Sequence, residues 1–427
     1  MTEPNRIVVE PAPAGQDSLP RLQAAVDQLQ GTGEIVLLPT RPYLLSGTWY
    51  LPRPASGALG LNITSIGHAT LRLHDSVTVP PADGLLRVES NWQYKLSGFS
   101  VVGPGTRSDP VTTPRSGIGI WLGHEAGHGG GDGTHGGGCI LERVYAIGWG
   151  VGFRLGTAEH IATSELLFSH CSARICDVGM ELLDQNTLNV ALVMWGMEAN
   201  RVGVRVYQPG ANDVHVWGGS ASNNGVDFHL APGGVFSVNG YRSEGARQFL
   251  VSGQTRAKTN VVISSCEVLG MVGDGSVAAV HCGWGNCLTV VSSTIQGWIG
   301  WQQVFGPGGV PLVVGTLTMM GVCVWGSPDR PFRGDGSAAG LPYRVFGCSY
   351  RLPGNPDGVP DGWFPDQIGV VRASGDLVPA WTVDADGVFQ LGGSPRVVTG
   401  SWADGSAARN LAVVLEEAGI IANQTTA

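Results

Sequence analysis

The sequence is poor in charge and has no long hydrophobic segment. Only 14% of its 427 residues are charged, and the formal net charge is −9. A chain that binds nucleic acid or an anionic membrane needs a basic face to neutralise phosphate, and this charge balance argues against both partners. No run of 18 or more apolar residues occurs, so we expect no membrane insertion.

Cysteine is also sparse for a chain of this length. The eight cysteines are scattered over two hundred residues and lack the density of a disulfide scaffold, so they predict buried free thiols. None has the CxxC spacing of a zinc knuckle, and we expect neither a metal nor another cofactor. The first 20 residues lack a basic and then apolar export signal, so we expect synthesis and folding in a cytoplasm.

Glycine, by contrast, is abundant, with 66 residues, and proline contributes 26. Short runs of Val, Ser, Thr and Asn lie between the glycines, which is the composition of strands and tight turns. A hydrophobic content of 43% indicates a folded chain. The placement of glycine is too irregular for collagen. A neutral or weakly charged partner such as a glycan fits this composition.

The N-terminal segment predicts one helix followed by two strands. Asp17 or Ser18 can cap the helix, Pro20 lies in its first turn, and apolar residues recur at helical spacing up to Leu29. The strands are EIVLLP at 34–39 and YLLSG at 43–47. With the helix segment AAVDQLQ, residues 17–52 resemble the N-terminal cap of the pectate-lyase-like right-handed β-helix of phage tailspikes and microbial polysaccharide-degrading enzymes.

Strands recur with a regular period in the middle of the chain. Runs that begin at the Asn residues 186, 212, 260 and 286 are spaced by 26, 48 and 26 residues, and a run that begins at Gly234 fills the double interval, which indicates a period near 24 to 26 residues. One coil of a parallel β-helix needs several short strands in such a repeat, and equivalent strands then stack. A leucine-rich horseshoe, a β-propeller and an immunoglobulin-like string do not fit the pattern. We therefore predict an all-β fold, a right-handed parallel β-helix with a short N-terminal helix cap and a small C-terminal strand–helix segment.

The expected domain boundaries follow from changes in residue composition and in the strand period along the chain. Residues 1–60 form the N-terminal cap, 61–350 the parallel β-helix, 351–380 a linker rich in Pro and Asp, and 381–427 a C-terminal strand–helix segment that serves assembly. The last of these contains a predicted helix over 407–418. Residues 397–426, which include VTGSWADGSAARNLAVVLEEAG, resemble the C-terminal segment of structural proteins from tailed phages of actinobacteria.

One motif matches a metal-site pattern. His124-Glu-Ala-Gly-His128 has the HExxH spacing of zinc proteases, which requires a helix to place both His on one face. Glycines occupy most of the positions from 127 to 138, so a helix is not expected there. We interpret the segment, including His135, as a glycine-rich loop rather than a zinc site.

Candidate site residues come from the best-ordered coils. Glycan hydrolysis or elimination needs carboxylates on one groove, and counting within each coil places Glu198, Asp227 and Glu244 on one side as candidate catalytic residues. Candidate glycan-binding residues are Trp195, Trp217, Arg242 and His229. Two alternatives stay open, namely solvated turn carboxylates and Trp side chains buried between subunits.

Three functional hypotheses follow. The first is a phage tail spike or receptor-binding minor tail protein that attaches the virion to a bacterial surface polysaccharide and contacts other tail proteins. The resemblance to tailspikes also implies a homotrimer. The second is a polysaccharide depolymerase, a glycoside hydrolase or lyase that uses the carboxylates above. The third is a purely structural rod.

Overall fold

The structure is a computed structural model that describes residues 5–52, 60–89, 93–105, 115–123, 138–157, 165–183, 189–207, 213–230, 234–252, 259–270, 279–282, 287–297, 299–301, 316–325, 332–334, 342–351, 362–363, 366–371, 377–383, 389–391 and 394–395. Among these residues it contains one helix and 37 strands. None of the described helices has the length and apolar character that a membrane span requires.

The N-terminal cap is built as the sequence predicts. It comprises β1 (Arg6–Val9), α1 (Leu19–Leu29), β2 (Gly33–Leu37), β3 (Tyr43–Leu45) and β4 (Trp49–Leu51). The side chain of Asp17 accepts a hydrogen bond from the Leu19 N–H at 3.0 Å, and Ser18 is the N-cap residue. The helix buries the predicted stripe of Leu22, Ala25, Val26 and Leu29. It ends at Gln30, which is in the left-handed conformation.

Stacked coils follow the cap. Their strands are β5 (Leu61–Ser65), β6 (Ala69–Leu73), β7 (Leu86–Val88), β8 (Lys95–Val102), β9 (Ile118–Leu122), β10 (Cys139–Ile147), β11 (Val151–Leu155), β12 (Leu166–Ser169), β13 (Ser172–Arg174), β14 (Val178–Leu182), β15 (Val190–Glu198), β16 (Val202–Val206), β17 (Asp213–Ser222), β18 (Val226–Leu230), β19 (Gly234–Asn239), β20 (Arg242–Glu244) and β21 (Gln248–Ser252). The later coils contain β22 (Thr259–Ser264), β23 (Glu267–Leu269), β24 (Val280–Cys282), β25 (Cys287–Val291), β26 (Thr294–Gln296), β27 (Ile299–Trp301), β28 (Thr316–Met320), β29 (Cys323–Trp325), β30 (Phe332–Gly334), β31 (Pro342–Phe346) and β32 (Ser349–Arg351).

Each strand pairs in parallel with its equivalent in the next coil. Val190 is opposite Val214, Val214 is opposite Phe236, and Phe236 is opposite Val261. These steps of 22 to 25 residues agree with the predicted period, and the structure is a right-handed parallel β-helix. Equivalent apolar positions of successive coils must fill the interior of a solenoid, and the sequence pattern predicts these positions at Ile161, Val190, Val214, Val216, Ile263, Val290 and Ile295. All of them are buried except Ile161, which lies outside the described residues.

Three outer faces result. The first face and the second face belong to one sheet and meet at a bend within the long strands β8, β10, β15 and β17. The first face contains the N-terminal halves of these long strands with β2, β5, β12, β19, β22, β25, β28 and β31. The second face contains their C-terminal halves with β3, β6, β13, β20, β23, β26, β29 and β32. The third face is a separate sheet of eleven strands: β4, β7, β9, β11, β14, β16, β18, β21, β24, β27 and β30. Along most strands of the first and second faces, residues alternate between an apolar core that runs through the coils and the outer surface. Ile118, Val151, Val178 and Val202 form a second, smaller apolar cluster on the third face.

Residues in the left-handed conformation mark two of the bends. The bend between the first and second faces contains Gly98, Arg143, His170, Met194, Gly218, Gly240, Ser265, Ser292, Gly321 and Gly347. The bend between the second and third faces contains Gly148, Ile175, Ala199, Asn223, Gly245, Gly270 and Gly297. At the second bend the N–H groups of five of these residues still bond to a backbone carbonyl of the next coil, as from Ile175 to the Glu198 carbonyl at 2.8 Å; the five are Gly148, Ile175, Ala199, Asn223 and Gly245. The ladder therefore continues around the corners, although many of these residues are not glycine.

The cysteines are free thiols where the structure describes their side chains. Cys139, Cys171, Cys176, Cys266 and Cys348 are buried, and Cys287 and Cys323 are partly exposed. Burial raises the pKa of the Cys171 thiol to about 12 and that of Cys176 to about 11. These thiols therefore act as small apolar core groups, as predicted.

Antiparallel pairing begins after the last coils. The strands are β33 (Gly362–Trp363), β34 (Asp366–Val371), β35 (Leu377–Val383), β36 (Phe389–Leu391) and β37 (Ser394–Pro395), and β34 pairs antiparallel with β31 and β35. The segment 351–380, expected to be a linker, thus contains strands that extend the sheet. The predicted C-terminal helix over 407–418 lies outside the described residues.

Candidate functional site

The second face brings together three of the seven predicted site residues. Glu198 at the end of β15 is opposite Ser222, and Ser222 is opposite Glu244. The two carboxylates therefore lie in one outward row, two coils apart, about 10 Å between Cα positions at the usual strand spacing. Arg242 lies two residues before Glu244 on the same face.

Ion pairs connect these side chains along the face. Arg174 Nη1 is 3.6 Å from Glu198 Oε2, and Arg242 lies 3.8 Å from Glu244 and 3.6 Å from Glu267. We call these five residues the charged strip. All five side chains are about half exposed, so each pair is weak and can rearrange when another polar partner arrives.

Small residues lie between the charged ends of the strip. Gly196 is opposite Ser220, and Ser220 is opposite Arg242, while Ser222 separates the two carboxylates. Glycine and serine leave a low surface there, whereas Glu198, Arg242 and Glu244 rise on either side of it. The arrangement offers carboxylate acceptors, guanidinium donors and hydroxyl groups to a polar ligand lying along the rod.

Asp227 does not belong to this face, contrary to the sequence prediction. Its side chain is fully buried, because β18 turns this position into the core. In the four preceding coils the equivalent position is glycine, at 119, 152, 179 and 203. The carboxylate accepts hydrogen bonds from Asn224 Nδ2 at 2.8 Å and from the Ser243 hydroxyl. Burial raises its pKa to about 7. Asp227 is therefore a structural group of the interior, with no access to a glycan.

Trp195 is also misassigned in the sequence prediction. It directly follows the left-handed Met194, and this bend turns its indole inward. There it makes edge contacts with Phe153 and Phe168, with ring centroids 5.5 and 5.8 Å away. The side chain is fully buried, so it presents no face to a sugar and packs inside one chain rather than between subunits.

Trp217 and His229 lie on other faces. Trp217 is on the first face, 45% exposed, and stacks on His215 with 5.6 Å between ring centroids. His229 is on the third face, where burial and the nearby Arg205 and Arg201 lower its pKa and hold it neutral near pH 7. Their roles in glycan binding remain predictions, and neither residue adjoins the charged strip.

The third face holds a polar row that the sequence analysis missed. In register along the rod lie Tyr50, Arg87, Trp121, Arg154, Glu181, Arg205, His229, Val251 and His281. Arg87 and Arg154 place their guanidinium carbons 4.2 and 5.3 Å from the Trp121 ring. Arg154 also donates to Glu181 at 2.9 and 3.1 Å. The Trp121 ring and the Glu181 carboxylate are therefore engaged in contacts within the chain.

A signal for this row was present in the sequence. The segments IGIWL, VGFRL, VGMEL and VGVRV share a pattern in which the fourth residue points outward, at 118–122, 151–155, 178–182 and 202–206. Aligning these segments would have identified Trp121, Arg154, Glu181 and Arg205 as one row. The candidate residues were instead counted from the residue that opens each coil, and that count combined inward and outward positions.

The HExxH segment was predicted to be a glycine-rich loop rather than a zinc site. His124, His128 and His135 lie outside the described residues, so the prediction of no zinc site stays a prediction. Within the part of the chain that the structure describes, no three His, Cys, Asp or Glu side chains gather at a spacing suited to a metal ion.

Comparisons with known proteins leave the assignment to a family open. No family model matches the sequence, and no curated protein matches it. Solved structures with similar coordinates include the N-terminal fragment of bacteriophage phi29 gene product 12, at 12% identity and a TM-score of 0.46, with 82% of this chain and 72% of that chain covered.

Two further structures are a tailspike and an enzyme. The tailspike protein of Acinetobacter baumannii phage AM24 has 14% identity and a TM-score of 0.47, and the match covers 72% of this chain and 51% of that one. The chain thus spans about half the length of that tailspike. The A-module of the Azotobacter vinelandii mannuronan C-5 epimerase AlgE6 has 14% identity and a TM-score of 0.47, with 79% and 96% covered. What the chain shares with these phage tail proteins and this glycan-modifying enzyme is the stacked-coil β-helix.

Proposed function

We propose that this protein is a phage tail spike or receptor-binding minor tail protein that attaches the virion to a bacterial surface polysaccharide through the charged strip. The observation that carries the proposal is the row of Glu198, Ser222 and Glu244 with Arg242 beside it. A polar ligand that lies along the rod meets donors and acceptors at a regular spacing there.

Charge and exposure support this assignment of the face. The strip joins acidic and basic side chains that are half exposed and weakly paired, so a hydroxyl-rich ligand can replace their contacts at low cost. The chain as a whole has a net charge of −9, which disfavours polyanionic partners such as nucleic acid.

The sequence resemblances supply the biological setting of the proposal. The N-terminal cap resembles that of tailspike β-helices, and residues 397–426 resemble a C-terminal segment of tailed-phage structural proteins. On these grounds the protein is made in the host cytoplasm, contacts other tail proteins, assembles as a homotrimer and resides in the virion tail.

Binding to a panel of purified bacterial surface polysaccharides tests the proposal. We expect Glu198→Gln combined with Arg242→Gln to weaken binding of the recognised polysaccharide at least about tenfold, since each charge-assisted hydrogen bond contributes about 1.5–3 kcal/mol. Arg6→Gln is the matched control, because Arg6 is a half-exposed arginine in an ion pair with Glu34 on the first face, at the N-terminal end of the coils. Equal affinity of the double variant and the control would contradict the proposed binding face.

Depolymerase activity is the second candidate function. Glu198 and Glu244 lie in one row, and their side chains are long enough to bring two carboxyl groups within the separations that glycosidases use. Release of reducing ends or of unsaturated sugars from the bound polysaccharide would support this function. The release should then stop in both Glu198→Gln and Glu244→Gln, whereas binding without any product supports attachment alone.

A further inference from the structure

A serine, a histidine and an aspartate form a connected cluster on the first face. His215 and Asp213 lie two residues apart on β17, so both side chains point outward. Ser237 on β19 is directly opposite His215 in the ladder. The cluster thus rests on two adjacent strands of a continuous sheet, which holds the three residues at fixed separations.

Two close contacts place His215 between Ser237 and Asp213. The Ser237 hydroxyl is 2.6 Å from His215 Nδ1, and Asp213 Oδ1 is 2.9 Å from His215 Nε2. Asp213 Oδ1 is shielded from solvent, and its contact with Nε2 is close but lacks the alignment of a hydrogen bond. A carboxylate at this distance favours a proton on Nε2, which leaves the lone pair of Nδ1 for the serine hydroxyl. A nucleophile, a base and a group that orients the base are joined in this way, with the two ring nitrogens exchanged relative to serine proteases.

The surroundings leave the cluster open to a ligand. The His215 and Asp213 side chains are 29% and 31% exposed. Trp217 stacks on the imidazole and is itself exposed, so it fixes the ring plane and offers an apolar surface beside it. Asn239 lies opposite Trp217, two residues beyond Ser237, and carries an exposed amide on the same face.

We propose that Asp213, His215 and Ser237 form an acyl-transfer site that hydrolyses ester groups, such as O-acetyl groups, on a carbohydrate. This inference goes beyond the proposed attachment function and does not rest on it, since it concerns another face of the rod. Ser237 is the nucleophile, His215 the general base and acid, and Asp213 the residue that positions His215. We assign the Asn239 amide to the stabilisation of the oxyanion.

The reaction proceeds in two balanced steps. Ser237 Oγ attacks the ester carbonyl carbon while its proton passes to His215 Nδ1, and the tetrahedral intermediate then expels the sugar oxygen, which takes that proton. The acetyl group is now bonded to Ser237 Oγ as an ester. A water molecule attacks the acyl carbon, gives one proton to His215 Nδ1 and releases acetic acid, and Ser237 Oγ recovers the proton. Water is the only co-reactant.

A fluorophosphonate probe tests the nucleophile directly on the full chain. We expect the probe to label Ser237, as located by peptide mass spectrometry, and the labelling rate to fall about a hundredfold or more in His215→Asn. Ser65→Ala is the control, because Ser65 is also a partly exposed serine of the first face but lies opposite Leu37, and labelling of Ser237 should be unchanged in it. Absence of label on Ser237, or labelling that His215→Asn leaves unchanged, would overturn the proposal.

Turnover is the second readout. Wild type should hydrolyse p-nitrophenyl acetate and release acetate from an O-acetylated polysaccharide, Ser237→Ala should release none above the background rate, and Asp213→Asn should lower kcat with little change in KM. A role of the cluster in the fold alone predicts equal rates for wild type and Ser237→Ala, and that result would also reject the site. Circular dichroism and thermal unfolding of each variant verify that the coils remain folded.

Discussion

Ser243 donates a hydrogen bond from its hydroxyl to the buried carboxylate of Asp227, which joins the second and third faces across the interior of the rod. Asn224 donates to the other carboxylate oxygen, and its own side-chain oxygen accepts the Asn200 backbone N–H at 2.8 Å. Asn200 accepts in turn from the Cys176 N–H at 2.8 Å. A polar ladder thus crosses three coils of an otherwise apolar core and ends at Asp227.

The titration of Asp227 should make stability depend on pH. Its folded pKa of about 7 lies above the ordinary value of 3.8, so the folded state retains a proton that the unfolded state releases. The stabilisation is complete below pH 3.8 and is lost as the pH rises to 7. Asp227→Asn removes the titration; its Oδ1 can accept from Asn224, and its Nδ2 can donate to the Ser243 oxygen if that hydroxyl turns its proton away. We therefore expect stability equal to wild type near pH 4 and a gain of up to about 4 kcal/mol at pH 8. Urea unfolding at both pH values measures the difference, and Asp75→Asn, at an exposed ion pair, should show no such gain.

The left-handed bends predict opposite effects of one exchange at equivalent positions. Ile175 and Asn223 have φ of 54° and 55°, two coils apart in the same column. A β-branched side chain is strained there, whereas asparagine tolerates the conformation. Ile175→Asn should therefore raise the free energy of unfolding, and Asn223→Ile should lower it by about 1–2 kcal/mol. Changes of the same sign in the two variants would show that packing rather than backbone strain dominates these corners.

The four glycines that precede Asp227 in its column of the third face, at 119, 152, 179 and 203, leave no room for a side chain. A Cβ on Gly179 would lie 2.5 Å from the Gly203 carbonyl oxygen and 3.0 Å from Ala173 Cβ, and both belong to fixed strands. Gly179→Ala should cost about 3 kcal/mol. Gly47→Ala is the comparison, because its Cβ would meet only Leu19 at 3.4 Å and should change stability little. Thermal unfolding of the two variants separates a packing limit from a general effect of replacing glycine.

Assembly is predicted to depend on the C-terminal segment. A short amphipathic helix over 407–418 is too short to be stable alone, and a threefold axis would bury its apolar stripe against two copies. We expect the full chain to be a trimer by light scattering, and the chain without residues 397–427 to lose assembly while its coils stay folded. A full-length monomer at micromolar concentration, or a truncated chain that remains trimeric, would contradict this role.

The sequence predicted the coils well because their determinants are local and repeated. Alternating apolar residues and turn residues at a fixed period define which strands stack, and Val190, Val214 and Val216 are buried as expected. The N-terminal helix was predicted equally well, from Pro20 and the helical spacing of its apolar residues. The repeat alone therefore defines the architecture.

The site was harder to predict because face and direction depend on single residues at the bends. Coils differ in length by several residues, so a count from the turn placed Asp227 outside although β18 turns it inward. Met194 in the left-handed conformation likewise reverses the direction of Trp195. Of Glu198, Asp227 and Glu244, which were predicted on one side, Glu198 and Glu244 share the second face because each ends a strand of that face.

Carboxyl footprinting with a carbodiimide and an amine tests the binding face most directly. The measurement compares labelling of the full chain with and without the recognised polysaccharide, residue by residue. We predict that bound polysaccharide protects Glu198 and Glu244, while Asp27, an exposed carboxylate on helix α1 of the N-terminal cap, is labelled at an unchanged rate. Unchanged labelling of Glu198 and Glu244 under saturating polysaccharide would show that the glycan binds elsewhere on the molecule.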